Sequence, residues 1–119
     1  MSASDCVFCR IVAGTALATI IRDWPDAIAV VPLGPVVPGH WLVIPRAHVR
    51  TAAESPAVYG AVSARAAELV ARTGDDANLV TSIGPAATQT VDHLHVHVVP
   101  REQGDGLALP WTGQGGVGR

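Results

Sequence analysis

His93-Leu94-His95-Val96-His97, continued by Val98-Val99-Pro100, alternates imidazole with aliphatic side chains and then runs apolar. On a strand, a period of two throws the three rings onto one face and the aliphatic residues onto the other. The aliphatic face calls for a covering layer, and the imidazole face is suited to chemistry. Neutral imidazole acts as base, nucleophile or metal ligand, and its ordinary pKa of about 6.5 lets it change charge in the physiological range. Three of the five histidines lie here. Core filling explains them poorly, because each buried ring has two nitrogens that need partners. Three readings stand at this point: a polar sheet face, a metal triad with the rings as zinc ligands, or nucleophilic catalysis by one ring held in its tautomer by neighbours.

Working outward, Asn78 to Ile83 is expected to form a strand, Gly84 to Gln89 a loop of small residues, and Thr90 to Val99 the histidine strand. Upstream, Ser55 to Arg72 places Val58, Val62, Ala66, Leu69 and Val70 at helical spacing before Gly74-Asp75-Asp76 stops it. Thr19 to Trp24 and Ala27 to Pro32 flank the Pro25-Asp26 turn signal as a hairpin, and His40 to Ile44 resumes a third strand that Pro45 ends. A short helix runs to Ala13, capped by Ser4 or Asp5 and closed by Gly14, and it carries Cys6 and Cys9. Strands around one long helix, without regular βαβ alternation, predict an α+β domain on a mostly antiparallel five-stranded sheet.

The chain has 119 residues, nearly half of them apolar, and a formal charge of −2. This suits one domain over residues 1–119, with a glycine-rich tail from about 112 to 119. There is no basic run to mark a nucleic-acid footprint. The apolar runs are too short for a membrane span, and the N-terminus lacks signal-peptide order, so a cytoplasmic location is expected. In such a compartment the Cys6-x-x-Cys9 spacing favours metal or redox chemistry over a disulfide, and the lack of a thioredoxin-like βαβ context disfavours redox.

The motif around His93, His95 and His97 resembles that of the histidine triad (HIT) family of nucleotide hydrolases and transferases. Three further blocks extend the likeness in order along the chain. Pro38-Gly39-His40, with Val43-Ile44-Pro45-Arg46-Ala47-His48, is similar to the family's upstream block. Gly84 to Val91 is similar to its loop before the triad, and Asp5 to Gly14 to the opening of its bacterial members. The resemblance implies a HIT-like fold with His95 as the nucleophile on an α-phosphorus. His40 would support it, and His97 would contact phosphate and leaving group. It further implies that Gln89 and Thr90 present polar groups to the phosphate, with Ser82 nearby, and that Phe8, Ile11, Val30, Leu33 and Leu42 wall the nucleobase. The apolar five could equally be plain core, and Thr90 an ordinary strand start.

Cys6, Cys9, His48 and His93 align with a structural zinc site of bacterial relatives, which would make His93 structural; two buried thiols are the alternative. No catalytic metal is then required. A homodimer is implied, without nucleic-acid or membrane partners, and Trp111 with the tail would cover the site or reach the partner subunit. Two departures bear on specificity. Pro32 stands where relatives place a ribose-binding Asp or Asn, and Ser82 where they often have Asn or Gln. Both predict an altered nucleoside preference. The leading expectation is a phosphoramidase or pyrophosphohydrolase working through a nucleotidyl-histidine. The alternatives are a zinc hydrolase using the triad as ligands and a nucleotide-binding regulator with little turnover.

Overall fold

The computed structural model describes residues 5–109. The expectations for Ser4 as a cap, for Trp111 and for the glycine-rich tail lie outside them. In chain order the elements are α1 (Val7–Ala13), β1 (Ile20–Asp23), β2 (Ala27–Val30), β3 (Trp41–Pro45), α2 (Pro56–Thr73), β4 (Asp76–Val80) and β5 (Val96–Arg101). The strands form one five-stranded sheet in the order β1-β2-β3-β5-β4, and every pairing is antiparallel.

Both helices are set by their ends. Cys6 caps α1 by accepting the Cys9 N–H on its Sγ, and Gly14 closes it in the left-handed region at φ 79. Ser55 accepts the Val58 N–H, Pro56 opens α2, and Gly74 ends it at φ 73 with its N–H on the Val70 carbonyl. The buried stripe of α2, Val62, Ala66 and Leu69, packs on Ala27, Ala29, Val43, Leu94, Val96 and Val98. The opposite sheet face carries Ile28, Val30, Leu42 and Ile44 against Cys6 and Phe8 of the N-terminal segment. With layers on both sides, all four residues of β2 are buried, which is why Ala27 to Val30 reads as a continuous apolar run rather than an alternating one. Among the described residues no helix is long and apolar enough to cross a membrane.

The histidine strand begins later than its composition suggests. Thr90 to His95 lies outside the ladder, and β5 starts at Val96. Before it, the Leu94 N–H goes to the Val49 carbonyl at 2.8 Å. The facing survives this loss of ladder pairing. Leu94, Val96 and Val98 all join the α2 side, while the rings of His93 and His95 meet Phe8 of the other cluster. Strand β4 also departs from expectation, running from Asp76 to Val80 and leaving Thr81 to Ile83 outside it.

Candidate active site

All five histidines meet in two sets of contacts that part at His93. The Nδ1–H of His95 donates to the His93 carbonyl at 2.8 Å. A neutral ring carries one proton, so Nε2 of His95 is left with a free lone pair. Burial lowers the His95 pKa, partly offset by that same hydrogen bond. The Phe8 ring stands edge-on to His95 with centroids 5.1 Å apart, limiting where the imidazole can swing.

His40 and His97 form the second half. The Val36 N–H donates to Nδ1 of His40 at 3.0 Å, so that nitrogen is an acceptor and the ring proton resides on Nε2. Nε2–H of His40 then donates to Nδ1 of His97, also at 3.0 Å, leaving His97 with its proton on Nε2. One backbone amide thus sets two tautomers in series. The product is a lone pair on His95 beside an N–H on His97, with ring centroids 5.2 Å apart. Burial, then the charges of His95 and His40, push the His97 pKa down to about 4, and burial also lowers that of His40.

His93 faces the other way. Its Nε2–H donates to the Pro45 carbonyl at 2.9 Å, which leaves Nδ1 unprotonated and directed at a cluster. Nδ1 of His93 lies 3.3 Å from Cys6 Sγ, 3.5 Å from Cys9 Sγ and 3.1 Å from Nδ1 of His48, which is itself 3.1 Å from Cys9 Sγ. All four ligand atoms fall within 4.8 Å of one another. A tetrahedral ion with Zn–S of about 2.3 Å and Zn–N of about 2.0–2.1 Å has S–N and N–N edges of roughly 3.3–3.6 Å. The cluster therefore matches a closed Cys₂His₂ cage, with Pro45 orienting one ligand from outside. Burial, reinforced by the hydrogen bond and charge of Cys6, pushes the Cys9 thiol up to about 11. A cation would reverse that by drawing the proton off. Among the described residues this is the only group of three or more such side chains placed to share a metal ion, and the triad itself is not one.

The remaining expected residues divide. Phe8, Val30 and Leu42 gather in one buried cluster with Ile11 packed against it, whereas Leu33 is fully exposed and takes no part. Ser82 is half-buried and Thr90 exposed. Gln89 spends its amide on the backbone: Oε1 accepts the Gly84 N–H, and Nε2 donates to the carbonyls of Arg50 and Val91. It clamps the loop before the triad rather than projecting from it. Sequence reasoning missed Val36 and Pro45, which act through backbone atoms and leave no mark in residue type. It also passed over Thr81, whose hydroxyl donates to the His95 carbonyl at 2.8 Å; its only signal was a polar side chain directly after the apolar pair Leu79-Val80.

An imidazole with an unprotonated nitrogen beside a donor imidazole on an antiparallel α+β sheet, with a Cys/His cage behind it, is an arrangement capable of nucleophilic chemistry. The HIT domain family model matches residues 14–104, and the chain belongs to that family of nucleotide hydrolases and transferases. An adenylylsulfatase of Arabidopsis thaliana is 33% identical over 110 residues, 87% of this chain and 56% of that protein. The chain thus spans little more than half the length of this relative. The crystal structure of a Zn-bound histidine triad family protein from Mycobacterium smegmatis is similar at a TM-score of 0.77 and 38% identity, covering 90% of this chain and 82% of that one. A HIT family hydrolase from Clostridium thermocellum matches at 0.77 and 28%, covering 88% and 97%.

Proposed function

We propose that this chain hydrolyses nucleoside phosphoramidates or dinucleoside polyphosphates through a nucleotidyl intermediate on His95. The observation that carries this reading is the bond from His95 Nδ1–H to the His93 carbonyl, which leaves Nε2 free to attack. Nε2 forms a bond to the α-phosphorus while the bond to the leaving group breaks with its electron pair. The ring becomes cationic, and the His93 carbonyl stabilises that charge through Nδ1–H. Nε2–H of His97 donates to the leaving atom: a phosphate departs as an anion, and an amine takes up a solvent proton. Water then attacks phosphorus, the N–P bond breaks, and the nucleoside monophosphate leaves with one proton released. Splitting one displacement into two lowers the barrier of each.

Phe8, Ile11, Val30 and Leu42 supply an apolar wall for the base. Ser82, Thr90 and the loop amides serve the phosphate and sugar, and Gln89 shapes the loop. Pro32 offers the ribose no acceptor, so the phosphate contributes more to recognition than the sugar. The adenylylsulfatase likeness supports an adenylyl substrate. Zinc held by Cys6, Cys9, His48 and His93 would be structural, fixing α1 to the segment that carries the triad. Exposed Leu79 and Val80 on the edge strand β4 favour a homodimer joined along that edge, working in the cytoplasm.

The test compares adenosine 5′-phosphoramidate hydrolysis by wild type and His95→Ala after chelation, with intact-mass detection of a nucleotidyl adduct. Turnover with an adduct, both absent in the variant, is expected. Turnover without any adduct, or an unimpaired variant, would refute the intermediate.

A further inference from the structure

His95 sits where the sheet stops supporting the chain. The last β4–β5 pair is Val80 with His97, and the last β3–β5 pair is Val43 with Val96. The residue before Val96 therefore lies beyond both ladders, and its backbone lacks the strand-to-strand pairing that holds β5 in register. Thr81, the first residue past the end of β4, reaches into this gap. Its Oγ1–H donates to the His95 carbonyl at 2.8 Å across a sequence separation of 14.

We propose that Thr81 is a positioning residue for the nucleophile: its hydroxyl holds the His95 main chain where the ladder no longer does, and so fixes the direction of the imidazole. This rests on His95 being the nucleophile, as argued above. Three restraints then act on one residue. The Thr81 hydroxyl holds the carbonyl, the His93 carbonyl holds Nδ1, and the Phe8 edge limits the ring. The first governs where the Cα–Cβ bond points, and the other two govern rotation about it. Loss of the first lets the whole residue shift as a unit, which the ring contacts cannot correct without following it. Attack on phosphorus depends on an approach held within about 3–3.5 Å, and a displacement of about 1 Å costs on the order of 100-fold in rate. Valine keeps the β-branched shape of threonine and replaces its hydroxyl with a methyl, so Thr81→Val removes the bond to the His95 carbonyl, with Thr81→Ser as the control that keeps it.

The expected result is a single-turnover rate of nucleotidyl-His95 formation from adenosine 5′-phosphoramidate lowered by about 10- to 100-fold in Thr81→Val, with substrate Kd within about 3-fold of wild type. Thr81→Ser, which keeps the hydroxyl, restores the rate to within about 3-fold. A second readout does not depend on turnover. In ¹⁵N NMR of the imidazoles, wild type and Thr81→Ser show His95 as a single Nδ1–H tautomer, and Thr81→Val shows it averaged or broadened. Adduct formation at the wild-type rate in Thr81→Val, or a serine variant as slow as valine, overturns the proposal. A wild type that forms no adduct refutes the nucleotidyl reading instead. The NMR comparison then decides on Thr81 alone, an unchanged His95 spectrum in Thr81→Val counting against it. Should valine prevent folding, serine against alanine puts the same question.

Discussion

Stripping the metal proposed for the Cys₂His₂ cluster is the most direct challenge to the account of the N-terminal helix. The cage joins Cys6 and Cys9, at the start of α1, to residues 39 and 87 positions further along the chain. An ion that binds only the folded chain stabilises it by RT ln(1 + [M]/Kd), about 4.1 kcal/mol at 1,000 times Kd. Unfolding entropy of about 2.1 cal/mol/K per residue gives about 0.25 kcal/mol/K for a chain of 119 residues. The quotient is a fall in Tm of about 16 °C on chelation, reversed by added zinc. Differential scanning fluorimetry with and without chelator measures it, with metal analysis of the purified protein beside it. Cys6→Ala/Cys9→Ala should melt near the chelated wild type and be insensitive to chelator. A double variant that keeps stoichiometric zinc, or a metal-loaded wild type whose Tm moves by less than about 3 °C on stripping, would refute the structural cage.

Two further outcomes follow from single residues. Burial first, then the His95 and His40 charges, hold His97 near about 4 in the fold, whereas unfolded it titrates near about 6.5. The unfolded chain therefore binds more protons between those values, and stability present above pH 6.5 is lost as pH falls towards 4. The full linkage of about 3 kcal/mol, reduced to about 1–2 by the partial exposure of the ring, should appear as a steeper loss of Tm on acidification in wild type than in His97→Gln; equal slopes would refute it. Thr88 is the one non-glycine residue in the left-handed region among the described residues, at φ 72. A β-branched residue there costs about 1–2 kcal/mol. Thr88→Gly should raise Tm by about 2–4 °C after the entropic cost of glycine, and a lower Tm would show that the side chain holds the loop.

What could be read in advance was whatever side-chain type alone determines. The caps of α2, Ser55-Pro56 and Gly74, stand one residue or less from their expected places, because each residue type suits one backbone conformation. The two-faced alternation of residues 93 to 98 was legible because period two needs only that the chain be extended. The start of β5 was not. Whether an extended segment joins a ladder depends on which backbone partners reach it, and here Leu94 bonds to Val49 and His95 to Thr81. The same limit hid the roles of Val36 and Pro45, whose side chains could be exchanged without altering the N–H or the carbonyl that sets a tautomer. Gln89 was legible as a polar loop residue but not in its direction. Its amide satisfies three backbone groups of a turn whose shape is a tertiary result.

The division of labour among the histidines turns on one residue having two ends. The ring of His93 belongs to the cage, held there by the Pro45 carbonyl, and its own carbonyl belongs to the active site, where it selects the His95 tautomer. Replacing the side chain therefore leaves the carbonyl that accepts from His95 chemically intact, and only its position can change. His93 is fully buried and Leu94 nearly so. The peptide that carries the acceptor is gripped on one side by the ring contacts and on the other by the α2-facing core. A rigid carbonyl is worth more to His95 than a side-chain acceptor would be, because a carboxylate would draw the ring towards the imidazolium before attack and raise its pKa. A neutral backbone oxygen orients Nδ1–H while leaving Nε2 unprotonated, and in the proposed mechanism it would strengthen as an acceptor only when the ring becomes cationic on bonding to phosphorus. The alternation of three histidines is thus not three copies of one role. Each ring nitrogen that is not used in chemistry is used to fix the nitrogen that is.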